Sequence, residues 1–420
     1  MATTREKIFQ AFLNNKSVCT DTRNVQVGNI YFALKGGQFN GNDFLQQAID
    51  LGCAWVIGDE ERIQHERFIL VKDALRALQD LALDYRMSWT CPVLAITGSN
   101  GKTTTKELTR DVLAQKYKVS ATRGNLNNHI GIPLTILETP EDTEIAIIEM
   151  GANHQNEIAD YCQYARPTHG IITNVGKAHL EGFGGIEGVQ KGKRELYDYL
   201  LQNKGVIFCN IEQEYMGEWM SIFSPIEYSV SDFRIISEHI GMEIEWISEK
   251  ITFHCQMAGG YNLNNIAAAL SIGKYFGVDA SLAARAISAY IPQNMRSQIQ
   301  RTKHNELIID AYNANPTSLE NALRNLADRQ DTDKLAIVGA MKEMGEYTHA
   351  EHEKIVELIK ELKLNALLVG EEFESVRGEF EWYANVEELI LFLETKPISD
   401  KCILIKGSRG IRLEKVLPFL

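Results

Sequence analysis

Several stretches of this 420-residue chain carry residues whose types and spacing can do chemistry. "GSNGKTT" (residues 98–104) joins glycines, a lysine and threonines between an apolar run and a helical pattern. Gly98 and Gly101 allow close backbone approach, and the N–H groups around Ser99 and Asn100, at a helix start, attract an anion. Lys102 then reaches the outer phosphates of a nucleotide, and the hydroxyl of Thr103, beside Thr104, binds Mg²⁺. A full Walker loop asks for glycine where Ile96 stands, so the match is to the shorter G-x-x-G-K-[ST]-[ST] form. "EIAIIEMGANHQNEI" ends an apolar run on Glu149, where an acid either binds Mg²⁺, directly or through water, or caps the next helix. "GIITNVGKAHLEGFGG" places His179 in a Gly-rich loop; alone it reads as a loop histidine, because Mg²⁺ prefers oxygen. In "IEGVQKGKRELYDYL", Lys191, Lys193 and Arg194 read as a solvated basic face. Asn262 and Asn265 in "GGYNLNNIAAAL" can cap a helix or read an adenine edge. None of this decides where a released phosphate goes. Water as acceptor means a motor or switch, a hydroxyl a kinase, a carboxylate a ligase, and no acceptor a binding site.

The elements that must position these residues are legible. "PVLAITG", "EIAIIEMG", "GIITNVG", "GVIFCN", "ELIIDAYN", "KLAIVGA", "NALLVG" and "CILIKG" are short apolar runs ending near Gly, Asn or Asp. Such runs fit strands buried on both faces of a parallel sheet. Helical patterns lie between many of them; after Lys102, Leu108, Val112, Leu113 and Tyr117 keep roughly helical spacing. Alternation of strand and helix predicts an α/β fold with ligands at the carboxyl ends of the strands. The chain divides at about residues 89 and 296: a mixed α/β start, a nucleotide-motif segment, and a last segment holding four of the apolar runs.

Composition narrows the class. Apolar residues make up 45%, enough for several cores, and the net charge of −13 argues against nucleic-acid or anionic-membrane binding. The seven cysteines are scattered without metal-type spacing, as in a reducing compartment. The amino-terminal "MATTREKIFQAFLNN" lacks a signal peptide's apolar core, and no membrane-spanning run occurs. A cytoplasmic protein is expected.

Taken in order, these stretches make the chain resemble the Mur ligases, ATP-dependent amide-forming enzymes of peptidoglycan synthesis, over essentially its whole length. The resemblance rests on "TGSNGKTTTKE", "RGNLNNHIGIPLTIL", "IEMGANHQNEI", "IIDAYNANPTSL" and "ILIKGSRG". It is nearest to the type that joins D-alanyl-D-alanine to UDP-N-acetylmuramoyl-tripeptide. "DTRNVQVGNIYFALKGGQFNGNDF" is similar to the family's uridine-nucleotide segment. The resemblance implies three domains: a UDP-binding mixed α/β domain (1–89), a central P-loop ATPase domain on a parallel sheet (90–296), and a Rossmann-like carboxyl-terminal domain (297–420).

It also implies ATP and Mg²⁺ as cofactors and a catalytic set of Lys102, Glu149, His179, Lys193 and Asp310. Thr103, Glu149 and His179 would surround the metal. Lys193 matches a position where the family often has a lysine carbamylated by CO₂, which would make it an oxygen ligand. Asn262 and Asn265 match the adenine side, and Arg296 and Asp310 match positions that close onto the nucleotide. Tyr312, Asn313 and Asn315 would meet the incoming dipeptide, and Asn125, Asn127 and Asn128 would line the muramoyl-peptide path. Thr22, Arg23 and Lys35 would contact UDP. Two departures stand out: Asn42 replaces the family's usual histidine, and the acidic pair before "YNANP" is reduced to Asp310. In the implied reaction a peptide carboxylate attacks the γ-phosphorus, and the amine of D-alanyl-D-alanine then displaces phosphate from the acyl phosphate. The alternatives are a Mur-type ligase for another amino acid, a nucleotide-gated binding protein or NTPase, and a UDP-sugar-binding scaffold. The protein is expected to act as a monomer, and the third residue of the tripeptide, diaminopimelate or lysine, is open.

Overall fold

The structure, a computed structural model, describes residues 3–213, 219, 222–239, 241–330 and 333–420. Three α/β units follow one another. The first is a four-stranded parallel sheet in the order Val18–Cys19, Ile30–Phe32, Trp55–Gly58, Phe68–Leu70. Its helix Thr4–Asn15 opens on a capping box in which Thr3 and Glu6 exchange side-chain bonds with each other's backbone N–H. Helix Ala74–Arg86 fastens this unit to the next: the Tyr85 hydroxyl donates to the carbonyl of Thr139 (2.9 Å), and the Arg86 guanidinium donates to the carbonyls of Ala165 (3.0 Å) and Arg166 (2.9 Å).

The second unit is a six-stranded parallel sheet in the order Ile226–Tyr228, Val206–Asn210, His169–Ile172, Val93–Thr97, Ile145–Glu149, Val119–Ala121. Side chains alternate between two cores, as the strand period requires. Val93, Ala95, Ala146 and Ile148 face one core, against helices Glu157–Ala165 and Ile186–Gln202. Leu94, Ile96, Ile145 and Ile147 face the other, against helices Lys102–Leu113, Leu263–Tyr275 and Ala280–Ala289. Each such buried aliphatic side chain contributes about 1.5–3 kcal/mol relative to exposure.

The third unit is a six-stranded sheet in the order Gln298–Arg301, Glu306–Asp310, Cys402–Lys406, Lys334–Gly339, Asn365–Val369, Glu381–Tyr383. Its first strand is antiparallel and the rest are parallel. Every apolar run quoted from the sequence is a strand. The run-based reading missed the antiparallel sheet Phe233–His239, Gly241–Trp246, Ile251–Cys255, whose residues alternate between core and solvent instead of forming apolar runs. The divisions expected near residues 89 and 296 fall between elements, after Arg86 and before Gln298.

Candidate active site

The strand Val93–Thr97 lies between His169–Ile172 on one side and Ile145–Glu149 on the other. The chain leaves it in both directions, so a crevice opens at its carboxyl end. The phosphate loop sits there. Gly98 has φ 144° and its absent Cβ would lie 2.1 Å from Thr173 Oγ1; at Gly101, φ 79°, it would lie 2.2 Å from Asn265 Oδ1. Only glycine fits either place. The neighbouring strand end holds the loop in shape. Ser99 and Asn100 donate their N–H groups to Asn174 O and Oδ1 (3.0 Å each), and the Thr173 hydroxyl donates to Asn100 O (2.5 Å). Helix Lys102–Leu113 starts at Gly101 without a capping side chain, so its first turn keeps its affinity for an anion.

Lys102 Nζ donates to Gly98 O (2.7 Å) and Ser99 O (3.2 Å), folded over its own loop. Burial lowers its pKa to about 8; Glu149 acts upward and Arg296 downward. Glu149 caps no helix. Its Oε1 accepts from Thr103 Oγ1 (3.1 Å) and Asn127 Nδ2 (2.7 Å), while Oε2 is buried with no hydrogen-bond partner. An orphaned carboxylate oxygen beside a threonine hydroxyl suits a hard cation that completes its shell with water and phosphate oxygens. Among the described residues no group of three or more His, Cys, Asp or Glu could form an all-protein cage. The donors present fit Mg²⁺ brought by a nucleotide.

One cavity of about 530 Å³ is lined by residues of the second and third units. It gathers Ser99, Asn100, Gly101, Lys102, Thr103, Thr104, Glu149 and His179 with Asn125, Asn127 and Asn128. It also takes in Asn262, Asn265, Arg296, Asp310, Tyr312, Asn313 and Asn315. Gly98 lies behind the loop, outside the lining. A model of the Mur ligase middle domain matches residues 96–273, and one described as "Mur ligase, glutamate ligase domain" matches residues 295–409. The UDP-N-acetylmuramoyl-tripeptide–D-alanyl-D-alanine ligase of Bacillus subtilis (strain 168) is 33% identical over 426 residues, covering 96% of this chain and 92% of that protein. The chain belongs to the Mur ligase family. Its fold agrees with solved members. MurF from Acinetobacter baumannii aligns with TM-score 0.86 at 28% identity, over 96% of this chain and 93% of that one. MurF ligase from Thermotoga maritima in complex with ADP aligns with TM-score 0.86 at 26% identity, over 100% and 98%.

In this Mur ligase several expected residues are already engaged. Asn262 does not cap its helix through its side chain; Nδ2 donates to Ala258 O (2.7 Å) and Ser297 Oγ (2.9 Å). Asn265 donates to Asn262 Oδ1 (2.9 Å) and accepts from the Thr105 hydroxyl (3.1 Å). His179 Nδ1 pairs with Glu343 of the third unit, which holds the Glu343 carboxyl below its ordinary range. The basic-face reading of helix Ile186–Gln202 holds for exposed Lys191 but not for Lys193, which is buried. Lys193 Nζ lies 3.3 Å from Ala152 O and 5.0 Å from the Phe183 ring, and burial lowers its pKa well below the usual lysine range. It stands just behind the cavity wall at Ala152. Arg194 is half-buried and bonded to Asp198 (3.2 Å).

At the joint between the second and third units, Arg296 lies 3.8 Å over the Tyr312 ring with its buried Nε unpartnered. Asp310 Oδ2 accepts from Lys406, and Oδ1 accepts from Ser297 N (3.3 Å). Asn315 and Asn100 exchange amide bonds across the cavity (2.7 and 3.4 Å). Asn128 Oδ1 accepts from the N–H groups of Ile130 (3.1 Å) and Gly131 (2.9 Å), and Asn313 Oδ1 from Ala314 N (2.9 Å). Thr22, Arg23 and Lys35 lie away from this cavity. Arg23 binds Asp21 (2.7 Å), and Lys35 binds Asp59 (2.9 Å) and Glu60 (3.0 Å). Asn42, standing for the family's histidine, is buried; it donates to Asp59 Oδ1 (2.8 Å) and accepts from Asp59 N (3.1 Å). It braces the turn that holds Lys35's partners.

Sequence reasoning missed Lys106, Asn174 and Lys406. Lys406 and Asp310 end adjacent parallel strands and are register partners. A charged residue closing an apolar strand was the available signal, used for Glu149 and overlooked in "CILIKG". Lys106 carried a helical signal, one turn beyond Lys102 in "GKTTTKE".

Proposed function

We propose that this chain is the ATP-dependent ligase that joins D-alanyl-D-alanine to UDP-N-acetylmuramoyl-tripeptide, making an amide in peptidoglycan precursor synthesis. The observation that carries this reading is the single cavity in which the phosphate loop faces the segment 310–315, bridged by Asn100 and Asn315. A binding protein or simple NTPase needs no second domain applied to its phosphate loop. An oxide ion is a poor leaving group, so a carboxylate must be activated before an amine can displace it. The tripeptide carboxylate attacks the γ-phosphorus of ATP, giving an acyl phosphate and ADP; the dipeptide amine then attacks the acyl carbon and phosphate departs.

Catalysis by the protein is positioning and charge neutralisation. Lys102 leaves its loop carbonyls for the outer phosphates. Thr103 and Glu149 would hold Mg²⁺, which supplies charge neutralisation at the phosphoryl oxygens. His179 reaches the same edge only by giving up Glu343. Asn262, Asn265 and Arg296 form the nucleotide's base side, and Asn125, Asn127 and Asn128 line the muramoyl-peptide path. Tyr312, Asn313 and Asn315 face the dipeptide. Asp310, held by Lys406 and Ser297, orients that wall, and its engaged oxygens make it a poor base for the amine. Thr22, Arg23 and Lys35 bind the UDP end, where a diphosphate competes with Asp21, Asp59 and Glu60 for the two cations. Closure of the domains keeps water from the acyl phosphate. We read the protein as a cytoplasmic monomer; no helix among the described residues is long and apolar enough to cross a membrane.

The test is the substrate dependence of ADP release. ADP is expected with ATP, UDP-N-acetylmuramoyl-tripeptide and D-alanyl-D-alanine together. Release with a single amino acid but not the dipeptide would move the chain to another Mur ligase type, and release without any acceptor would make it an NTPase. We also infer that Lys193 is carbamylated. Its burial favours the neutral amine, the form that adds to CO₂ to give a carbamate and release a proton. Lys193→Ala should lose activity and regain part of it with added short carboxylic acids; no regain at any acid concentration would leave Lys193 a packing residue.

A further inference from the structure

Lys106 is used by none of the steps above, yet it is 2% exposed and lies against the candidate metal ligand. Helix Lys102–Leu113 places Thr103 and Lys106 three residues apart, hence on one face. Both meet Glu149, but from different sides. Thr103 takes Oε1, while Lys106 Nζ stands 3.7 Å from the orphaned Oε2 and 3.8 Å from Glu107 Oε1. A buried carboxylate needs a compensating charge, and Lys106 supplies one at the very oxygen that lacks a hydrogen bond.

We propose that Lys106 is a positioning residue that makes metal loading depend on nucleotide. With its charge already balanced by Lys106, Glu149 attracts a free dication weakly, and the ammonium repels it. A dication carried by polyphosphate brings its own negative charge, so the repulsion is offset and Oε2 becomes a ligand. The phosphate loop therefore does not fill with bare metal before the nucleotide arrives. This rests on the reading of the cavity as a Mg²⁺–nucleotide site. The charges that face Glu149 are Lys102 and Lys106, both on the phosphate-loop helix. Loss of Lys106 leaves Lys102, which itself moves to the phosphates.

The experiment measures Mn²⁺ binding to the nucleotide-free full chain by electron paramagnetic resonance, for wild type, Lys106→Met, Lys106→Arg and Glu149→Gln. Lys106→Met should bind Mn²⁺ about ten- to hundredfold more tightly than wild type, the range typical of changes beside a metal ligand. Lys106→Arg keeps the charge and should stay close to wild type. Wild type should bind no more Mn²⁺ than Glu149→Gln; this comparison decides the matter if Lys106→Met does not fold. Equal affinity in Lys106→Met and wild type overturns the proposal, as does nucleotide-free wild type binding Mn²⁺ well above Glu149→Gln. The resonance of protein-bound Mn²⁺–ATP tests the underlying reading separately. If it is the same in wild type and Glu149→Gln, Glu149 is no metal ligand, and the site reading falls together with the proposal. A normal difference there with no effect of Lys106 sinks the proposal alone.

Discussion

Three lysines behave differently because burial and partners differ. Lys102 rests on carbonyls it can leave, Lys106 is fixed beside Glu149, and Lys193 is buried without a carboxylate partner in bonding distance. A similar economy governs His352, which is wholly buried. Its Nε2 accepts from Met341 N (3.0 Å) and its Nδ1–H donates to Thr348 O (2.6 Å), so the neutral tautomer is required. Burial lowers its pKa; the bond to Thr348 and the charges of Glu372 and Glu351 act upward, and Lys342 downward. The unfolded chain takes up a proton near pH 6.5 that the native state refuses. The unfolded state then binds more protons, so stability is present above about pH 6.5 and is lost as pH falls below it. Urea midpoints measured at neutral pH and near pH 5.5 should show this loss. His352→Gln, which can still accept from Met341 N, should have a smaller difference between the two; an equal difference would assign the effect to other groups.

At the scale of elements, the helix Pro316–Asp328 links packing to the site. Asn315 forms a capping box with Ser318, Pro316 occupies the first turn, and the same Asn315 amide reaches Asn100 in the phosphate loop. One side chain thus ends a helix and ties the segment 310–315 to the phosphate loop. Asn315→Ala should cost about 1 kcal/mol in denaturant unfolding through the lost cap. Asn315→Ser keeps a capping hydroxyl and should be close to wild type in stability. Both lose the bridge to Asn100, and both should raise KM for the dipeptide roughly three- to tenfold, the worth of one net hydrogen bond. If the serine variant has a normal KM, the bridge is incidental.

At the scale of the molecule, the second and third units are tied around the cavity. Lys177 donates to buried Glu351 (2.8 Å) and its N–H to Thr317 Oγ1 (3.2 Å), His179 meets Glu343, and Glu238 accepts from Asn325 Nδ2 (3.0 Å). The segment between the two units holds Asn294, Met295 and Ser297 at φ 60°, 57° and 47°. Non-glycine residues held in this sparsely used region carry backbone strain at the joint between the two units. Lys177→Ala should shift the ligand-free protein toward a larger radius of gyration in small-angle scattering. The effect is about 1 kcal/mol or less, because Lys177 is part-exposed. Lys354→Ala removes Glu351's other partner, which lies on the same helix Thr348–Glu361, and should leave the radius unchanged. Equal scattering from both variants would mean that the Lys177 tie does not hold the domains.

The sequence alone determined the apolar strands, the phosphate loop and the family, because these are local. An apolar run of five or six residues must be buried on both faces, and Gly98 and Gly101 declare backbone shapes that other residues resist. Glu149 was visible because a charge at the end of such a run has no packing reason to be there; Asp310 was visible through the family resemblance. Only the tertiary structure decided which polar residues face one another. Helix Ile186–Gln202 looks basic on one face, and it is packing against the central sheet that buries Lys193 and not Lys191. Lys106 is an ordinary helix residue until Glu149, 43 positions later, arrives beside it. The bridge between Asn100 and Asn315 spans 215 residues. Charge balance and hydrogen bonding between distant segments depend on distances of a few ångströms, and these exist only once the sheets have packed.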